Sequence, residues 1–197
     1  MITWTSKRPL AALAMLTLSA CEGGQGFSFG GSTDVPDKPL RQTALAGGAV
    51  QVVPPQGYCI DPKSLKRRFA LMARCDALGL PDVVTAAPRG ILTLALIEAE
   101  APLPTPQQVA EATGLSQLQE AGSIEGATIF VAQGPVPAEG MSPRHWRGMA
   151  RIGGHVASVT LYGAPQSRAI SEEGRALVAD LIRQSRRKSA KAAAAGS

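Results

Sequence analysis

A pair of glycines, Gly153-Gly154, interrupts an alternating stretch over residues 144–162 and constrains the fold more than any other feature of the sequence. Two consecutive glycines supply the positive φ angles that a two-residue hairpin turn requires. Pairing residues outward from the turn gives one nearly apolar face: Ile152 with His155, Ala150 with Ala157, Gly148 with Val159 and Trp146 with Leu161. Turn chemistry and alternation therefore predict one β-hairpin register, with this face buried.

The opposite face of the hairpin is more polar. The same register pairs Arg147 with Thr160 and His145 with Tyr162, so these four residues form one patch. A histidine, an arginine and two hydroxyls can bind an anion or perform acid–base chemistry. Such a face is also commonly solvated or covered by a helix. We therefore take His145, Arg147, Thr160 and Tyr162 as a possible binding face and assign no catalytic residue.

The N-terminus has the organisation of an export signal. Lys7 and Arg8 precede an apolar run over residues 10–20 that is too short to span a bilayer as a helix. The run ends in Leu18-Ser19-Ala20-Cys21, which resembles the lipobox of bacterial lipoproteins. The resemblance implies that residues 1–20 are a signal peptide and that the Cys21 thiol carries the lipid anchor.

This resemblance sets the expected location and partners. A lipoprotein of this type faces the periplasm of the bacterial cell envelope, and Glu22 after the cysteine favours the outer over the inner membrane. The expected partners are the membrane, through the anchor, and an envelope protein or surface polymer, with no nucleic acid. Removing residues 1–20 takes away Lys7 and Arg8 and no acid, which leaves 18 basic against 15 acidic residues.

Composition divides the rest of the chain into three parts. Residues 21–48 are rich in Gly, Ser and Pro and predict a flexible tether. Residues 49–187 are long enough for a single α+β domain with its own core. Residues 188–197 predict a disordered, basic and alanine-rich tail, and no acid follows Asp180 in the chain.

Cys59 and Cys75 are the two cysteines that remain after Cys21 is lipidated. A pair in an exported domain is ordinarily bridged. A straight helix from Pro62 would carry Cys75 about 20 Å along its axis, whereas a disulfide needs Cα atoms within about 7 Å of each other. We therefore predict a short helical turn over residues 63–67, followed by a strand over 68–75 that returns beside residues 58–60.

The remaining elements follow from local patterns. Residues 91–97 predict a buried strand, Thr105-Pro106-Gln107-Gln108 opens a capped helix, residues 124–132 predict another strand, and Ser171 caps a closing helix. The chain is thus predicted to be α+β: an antiparallel or mixed β-sheet with a Gly-Gly hairpin, flanked by about two helices and crosslinked by one disulfide. This element order resembles the α/β sandwiches of PsbP and Mog1 proteins, without a shared motif, so no function follows from it.

Two functional hypotheses from different classes remain. The first is a non-catalytic binding or assembly module. The second is a small envelope hydrolase or anion-binding enzyme that uses the patch of His145, Arg147, Thr160 and Tyr162. The predicted register places the two histidines, His145 and His155, on opposite faces, so we expect neither a metal site nor a cofactor. The G-x-S-x-G pattern at residues 26–30 has no strand before it and no helix after it, as a hydrolase nucleophile would need.

Replacing Cys21 with Ser tests the anchor. Because the hydroxyl cannot replace the thiol that is alkylated with diacylglycerol, Cys21→Ser should accumulate as a precursor without lipid that still carries residues 1–20. Intact mass spectrometry of the membrane fraction measures this. Lipid attached to the variant, or a wild-type chain of unmodified mass, would contradict the lipobox assignment.

Overall fold

The computed structural model describes residues 38–80, 86–97 and 101–196, apart from the side chains of residues 120 and 121. The predicted signal peptide, Cys21, the G-x-S-x-G pattern and most of the predicted tether lie outside these residues. Within the described ranges, neither helix is long and apolar enough to cross a membrane.

A seven-stranded sheet in which every neighbouring pair is antiparallel forms the centre of the fold. Its strands, in chain order, are β3 (Tyr58–Ile60), β4 (Phe69–Arg74), β5 (Ile91–Ile97), β6 (Ser116–Ile124), β7 (Ala127–Gln133), β8 (Arg144–Ile152) and β9 (His155–Tyr162). Their spatial order is β3-β4-β5-β9-β8-β7-β6. A separate hairpin, β1 (Thr43–Leu45) and β2 (Val50–Val52), and two α-helices, α1 (Pro106–Thr113) and α2 (Glu172–Ala195), accompany this sheet, together with three short 3₁₀ turns. The predicted α+β class is confirmed.

The β8–β9 hairpin has the predicted register. Its pairs run from Ile152 with His155 to Trp146 with Leu161. Gly153 and Gly154 have φ angles of 54° and 79°, as the two-residue turn requires. The apolar face of the hairpin is buried against α2, which contributes Val178, Leu181 and Ile182 to the main core.

The predicted disulfide is present and joins β3 to the end of β4. The Cα atoms of Cys59 and Cys75 lie 4.9 Å apart. The chain between them makes a short 3₁₀ turn at Pro62–Ser64, which begins where the Asp61 carboxylate accepts the Lys63 N–H at 3.0 Å. A turn of this length lets β4 return beside β3, as the bridge demands.

Helix α1 has the predicted capping box. The Thr105 hydroxyl accepts the Gln108 N–H at 3.2 Å, and the Gln108 side chain accepts the Thr105 N–H at 2.9 Å. The helix ends at Gly114, whose φ is 66°. It covers a second, smaller core on the sheet face opposite α2, formed by Val109, Phe130, Ala132, Met149 and Val156.

The region after α1 differs from the prediction of one strand over residues 124–132. Two strands, β6 and β7, form a hairpin around Glu125 and Gly126, whose φ angles are 49° and 70°. Two register shifts interrupt β6, and Gln117 and Gly122, which have positive φ, lie in these irregular segments. The bulges break the period-2 pattern that would have identified β6 in the sequence.

The folded unit also extends beyond both predicted boundaries. Within the predicted tether, Leu40 pairs with Ile60, and β1 buries Leu45 in the main core. Within the predicted disordered tail, α2 continues to Ala195. Two buried serines of α2 hold β2, because Ser185 Oγ accepts the Val53 N–H at 3.1 Å and Ser189 Oγ accepts the Gln51 N–H at 2.9 Å. These contacts give the C-terminal turns a tertiary partner that composition alone does not reveal.

Removing the disulfide should destabilise the folded domain. The bridge spans a sequence separation of 16 residues, and closing such a loop in the unfolded chain contributes about 3 kcal/mol on the chain-entropy model. The Cys59→Ala/Cys75→Ala double variant should therefore lose about this much free energy of unfolding in urea. An unchanged unfolding midpoint, or peptide mapping that finds both thiols free in the exported wild type, would contradict the bridge.

Candidate binding face

The sheet face opposite α2 is only partly covered. Helix α1 lies over its β7 side. Toward β4 the same face carries nine side chains of mixed chemistry, of which all but Thr160 are partly exposed. We call this set the open face; it consists of Phe69, Leu71, Ile91, Thr93, Ala95, Arg147, Ser158, Thr160 and Tyr162.

Arg147 carries the positive charge of the open face. Its Nε donates a hydrogen bond to His145 Nε2 at 3.1 Å, and its side chain also hydrogen-bonds to that of Tyr162. Burial lowers the pKa of the guanidinium from its usual value. Among the residues that the structure describes, no carboxylate forms an ion pair with Arg147. A half-buried cation is thus held by neutral groups.

His145 is fully buried and has a partner for each ring nitrogen. Nδ1 lies 2.8 Å from the Pro143 carbonyl, so it must carry the hydrogen, which leaves Nε2 to accept from Arg147. Burial lowers the pKa of His145 to about 4, so the ring is neutral at pH 7. Its centroid lies 4.7 Å from that of Tyr162. His145 is therefore a positioning residue for Arg147, without a free nitrogen to act as a base.

The structure brings together all four residues that the sequence assigned to this patch. Thr160 is paired with Arg147 on one side and with Thr93 on the other, and Tyr162 is paired with Ile91. Thr160 is 5% exposed and lies in the floor of the face. Sequence reasoning missed Thr93 and the apolar neighbours, because the pairing of β5 with β9 is a long-range contact without a local signal.

The arrangement is suited to binding an oxyanion. A guanidinium can hold a carboxylate or a phosphate through two parallel N–H donors, and Tyr162 adds a hydroxyl. Phe69, Leu71 and Ile91 supply apolar surface on the same face. Among the described residues, no three histidine, cysteine or acidic side chains are grouped so that they could hold a metal ion.

Two clefts elsewhere each contain arginine–carboxylate ion pairs. The larger, of about 610 Å³, lies beside the N-terminal half of α2. There Arg168 contacts Glu173 at 2.5 Å and Arg183 pairs with Asp180. The smaller, of about 380 Å³, contains the 2.5 Å pair between Arg74 and Asp76. These carboxylates compete with any anionic ligand, which distinguishes the clefts from the site around Arg147.

No protein-family model and no curated protein matches this chain. The chemistry of the open face and the lipobox resemblance therefore carry the functional proposal.

His145 should make folding stability depend on pH. Its folded pKa of about 4 lies below the unfolded value of 6.5, so the unfolded chain binds the proton more tightly between these values. The stabilisation is fully present above pH 6.5 and is lost as pH falls toward 4, by about 3 kcal/mol in total. His145→Gln can keep one donor and one acceptor without titrating. It should remove this contribution to the pH dependence of the free energy of unfolding, measured in urea.

His155→Gln is the matched control, because His155 lies on the opposite face of β9, near the hairpin turn. This variant should show the same fall in unfolding free energy between pH 6.5 and 4 as the wild type. A slope that persists in His145→Gln would contradict the neutral, buried state of this histidine.

Proposed function

We propose that this chain is a lipid-anchored lipoprotein of the bacterial envelope whose domain is a non-catalytic binding module. The open face recognises an acidic group on an envelope protein or a surface polymer, and Arg147 binds that group. The observation that carries the proposal is the half-buried guanidinium of Arg147, which is oriented by His145 and Tyr162 and has no ion pair with a described carboxylate.

The energetics of burial favour an external anion. Withdrawing a charge from water is costly unless an opposite charge or several hydrogen bonds compensate. His145 accepts one guanidinium hydrogen bond but is neutral, so it orients Arg147 without cancelling its charge. A carboxylate or phosphate that docks on the remaining donors supplies the missing countercharge.

The surroundings of Arg147 favour a partner with apolar groups beside its acid. Phe69, Leu71 and Ile91 are partly exposed on the same face. Aromatic and aliphatic surface around an arginine is typical of protein-binding sites, in which arginine and aromatic residues contribute most of the affinity. An acidic side chain flanked by apolar residues on a partner protein fits this surface best.

The enzyme alternative requires a proton acceptor that the patch does not offer. Both nitrogens of His145 are engaged, Thr160 lies in the floor of the sheet, and Arg147 cannot serve as a base at neutral pH. Hydrolysis at this face would need a nucleophile and a base in hydrogen-bond contact. The four residues fit anion binding better than bond cleavage.

Site-specific photo-crosslinking in the intact envelope tests the binding module. A photoreactive phenylalanine at Phe69 should yield a defined crosslinked product, identified by mass spectrometry. The same probe at Ser123, which is exposed on β6, should not. In an Arg147→Gln background the product should fall by an order of magnitude or more, because charged pairs at interfaces contribute several kcal/mol when one partner is truncated.

Arg144→Gln provides the control for this loss. Arg144 lies on the same strand as Arg147 and donates to Gln119 away from the open face, so its variant should retain the crosslink. Thermal unfolding of both variants establishes that they are folded. Equal crosslinking from Phe69 in wild type and in folded Arg147→Gln would exclude Arg147 as the binding residue.

A further inference from the structure

Three hairpin turns lie at the same end of the sheet. Because neighbouring strands are antiparallel, the β3–β4, β6–β7 and β8–β9 turns all emerge there. Lys63, Lys66 and Arg67 are exposed in the first of these turns. The opposite end carries the loop between β7 and β8 and the start of α2.

Helix α2 directs its C-terminal turns to this same end. The Arg186 guanidinium donates to backbone carbonyls of two of the turns: to Arg151 at 2.7 Å, to Gly126 at 3.1 Å and to Glu125. Arg187, Lys188 and Lys191 follow along the helix and are exposed. The basic residues that end the chain are therefore fixed beside the turns.

The described part of the chain also begins at this end. Leu40 pairs antiparallel with Ile60, through hydrogen bonds of 3.0 and 2.8 Å. In an antiparallel pair the residues before Leu40 run past those after Ile60, so exposed Lys38 lies toward the β3–β4 turn. All five lysines beyond residue 20 thus lie at one end of the domain.

We call this surface the basic end. Its exposed cations include Lys38, Lys63, Lys66, Arg67, Arg187, Lys188 and Lys191. Among the described residues it has two acids, Asp61 and Glu125, and Asp61 already caps the 3₁₀ turn. The ion pairs within the described ranges are all made by arginines. The lysine ammonium groups of the basic end are therefore available to an external anion.

We propose that the basic end docks on the phosphate groups of the bilayer leaflet that holds the lipid anchor. Lysine is a compact charge on a flexible stem, and clusters of it beside a membrane attachment are attracted to anionic lipid. Lys38, the first described residue, lies at the same end as these cations, so docking brings it close to the membrane that would hold the anchor. This inference rests on the proposed function for the anchor and is independent of the ligand of Arg147.

Docking in this way orients the functional surface. The strands then stand with their turns toward the membrane, and the open face, which lies along the strands, points sideways into the periplasm. A partner can reach Arg147 without displacing the domain from the lipid.

Chemical footprinting of the full lipidated chain tests the docking. The protein is inserted into vesicles of phosphatidylcholine, with or without phosphatidylglycerol. Lysines are then acetylated, arginines are modified with phenylglyoxal, and both rates are read by peptide mass spectrometry. Lys63, Lys66, Lys188 and Lys191 should react several-fold more slowly on vesicles with phosphatidylglycerol. Exposed Arg89, at the opposite end, should react equally on both, and high salt should abolish the difference.

A charge-reversed variant tests whether two lysines of α2 contribute to this docking. Lys188→Glu/Lys191→Glu changes two exposed residues of α2 and should return Lys63 and Lys66 to their rates on phosphatidylcholine. Arg89→Glu, the control, should keep the protection. Equal lysine rates on both vesicle types, or protection that survives high salt, would overturn the proposal.

The lipid anchor is tested separately. The wild-type chain should float with phosphatidylcholine vesicles in high salt, where charge attraction to the membrane is screened. If the wild type does not float under these conditions, the proposed anchor is wrong, and the docking proposal is not affected. A chain without the anchor should still float with phosphatidylglycerol vesicles at low salt if the basic end binds phosphate, and its failure to do so counts against docking.

Discussion

The contact between α2 and β8 at Gly148 is the constraint on which the rest of the structure depends. A Cβ atom at this position would lie 2.6 Å from Val178 and 3.0 Å from Ile182, so the helix rests almost directly on the strand backbone. Hydrogen bonds at both ends fix its direction. Trp146 Nε1 donates to Ser171 O at the start of the helix, and Arg186 donates to carbonyls of the turns near its end. Helix and sheet therefore have one relative orientation.

That orientation separates the two sides of β8. Even-numbered residues face the core, and the odd-numbered residues His145 and Arg147 face away from it, where a cation can be held by a neutral ring without disturbing the main core. The same helix brings its basic turns to the end where the tether begins. The proposed recognition surface and the proposed membrane-contact surface thus lie at right angles, one along the strands and one across their ends.

The features that could be predicted from the sequence are those with local causes. The Gly153-Gly154 turn determines the register that gathers His145, Arg147, Thr160 and Tyr162, and the capping box of α1 lies within four residues. The bulges of β6 interrupt its alternation of side chains, so the sequence did not reveal this strand. The α2 serines that bind β2 lie more than 130 residues away in the chain, so no local pattern predicts that contact. The neutral state of His145 depends on burial, which no spacing of residues reveals.

The bulges of β6 have a further consequence, for the behaviour of many copies held together. An uninterrupted edge strand offers its backbone groups to any neighbouring chain. Here β6 is interrupted twice and Leu40 lies against the outer side of β3. The N–H groups of Gln51 in β2 and of Val53 just after it are bound by α2. Copies held on a membrane by the proposed anchor would diffuse in two dimensions and meet often, and these interruptions reduce the strand edges that one copy offers to another.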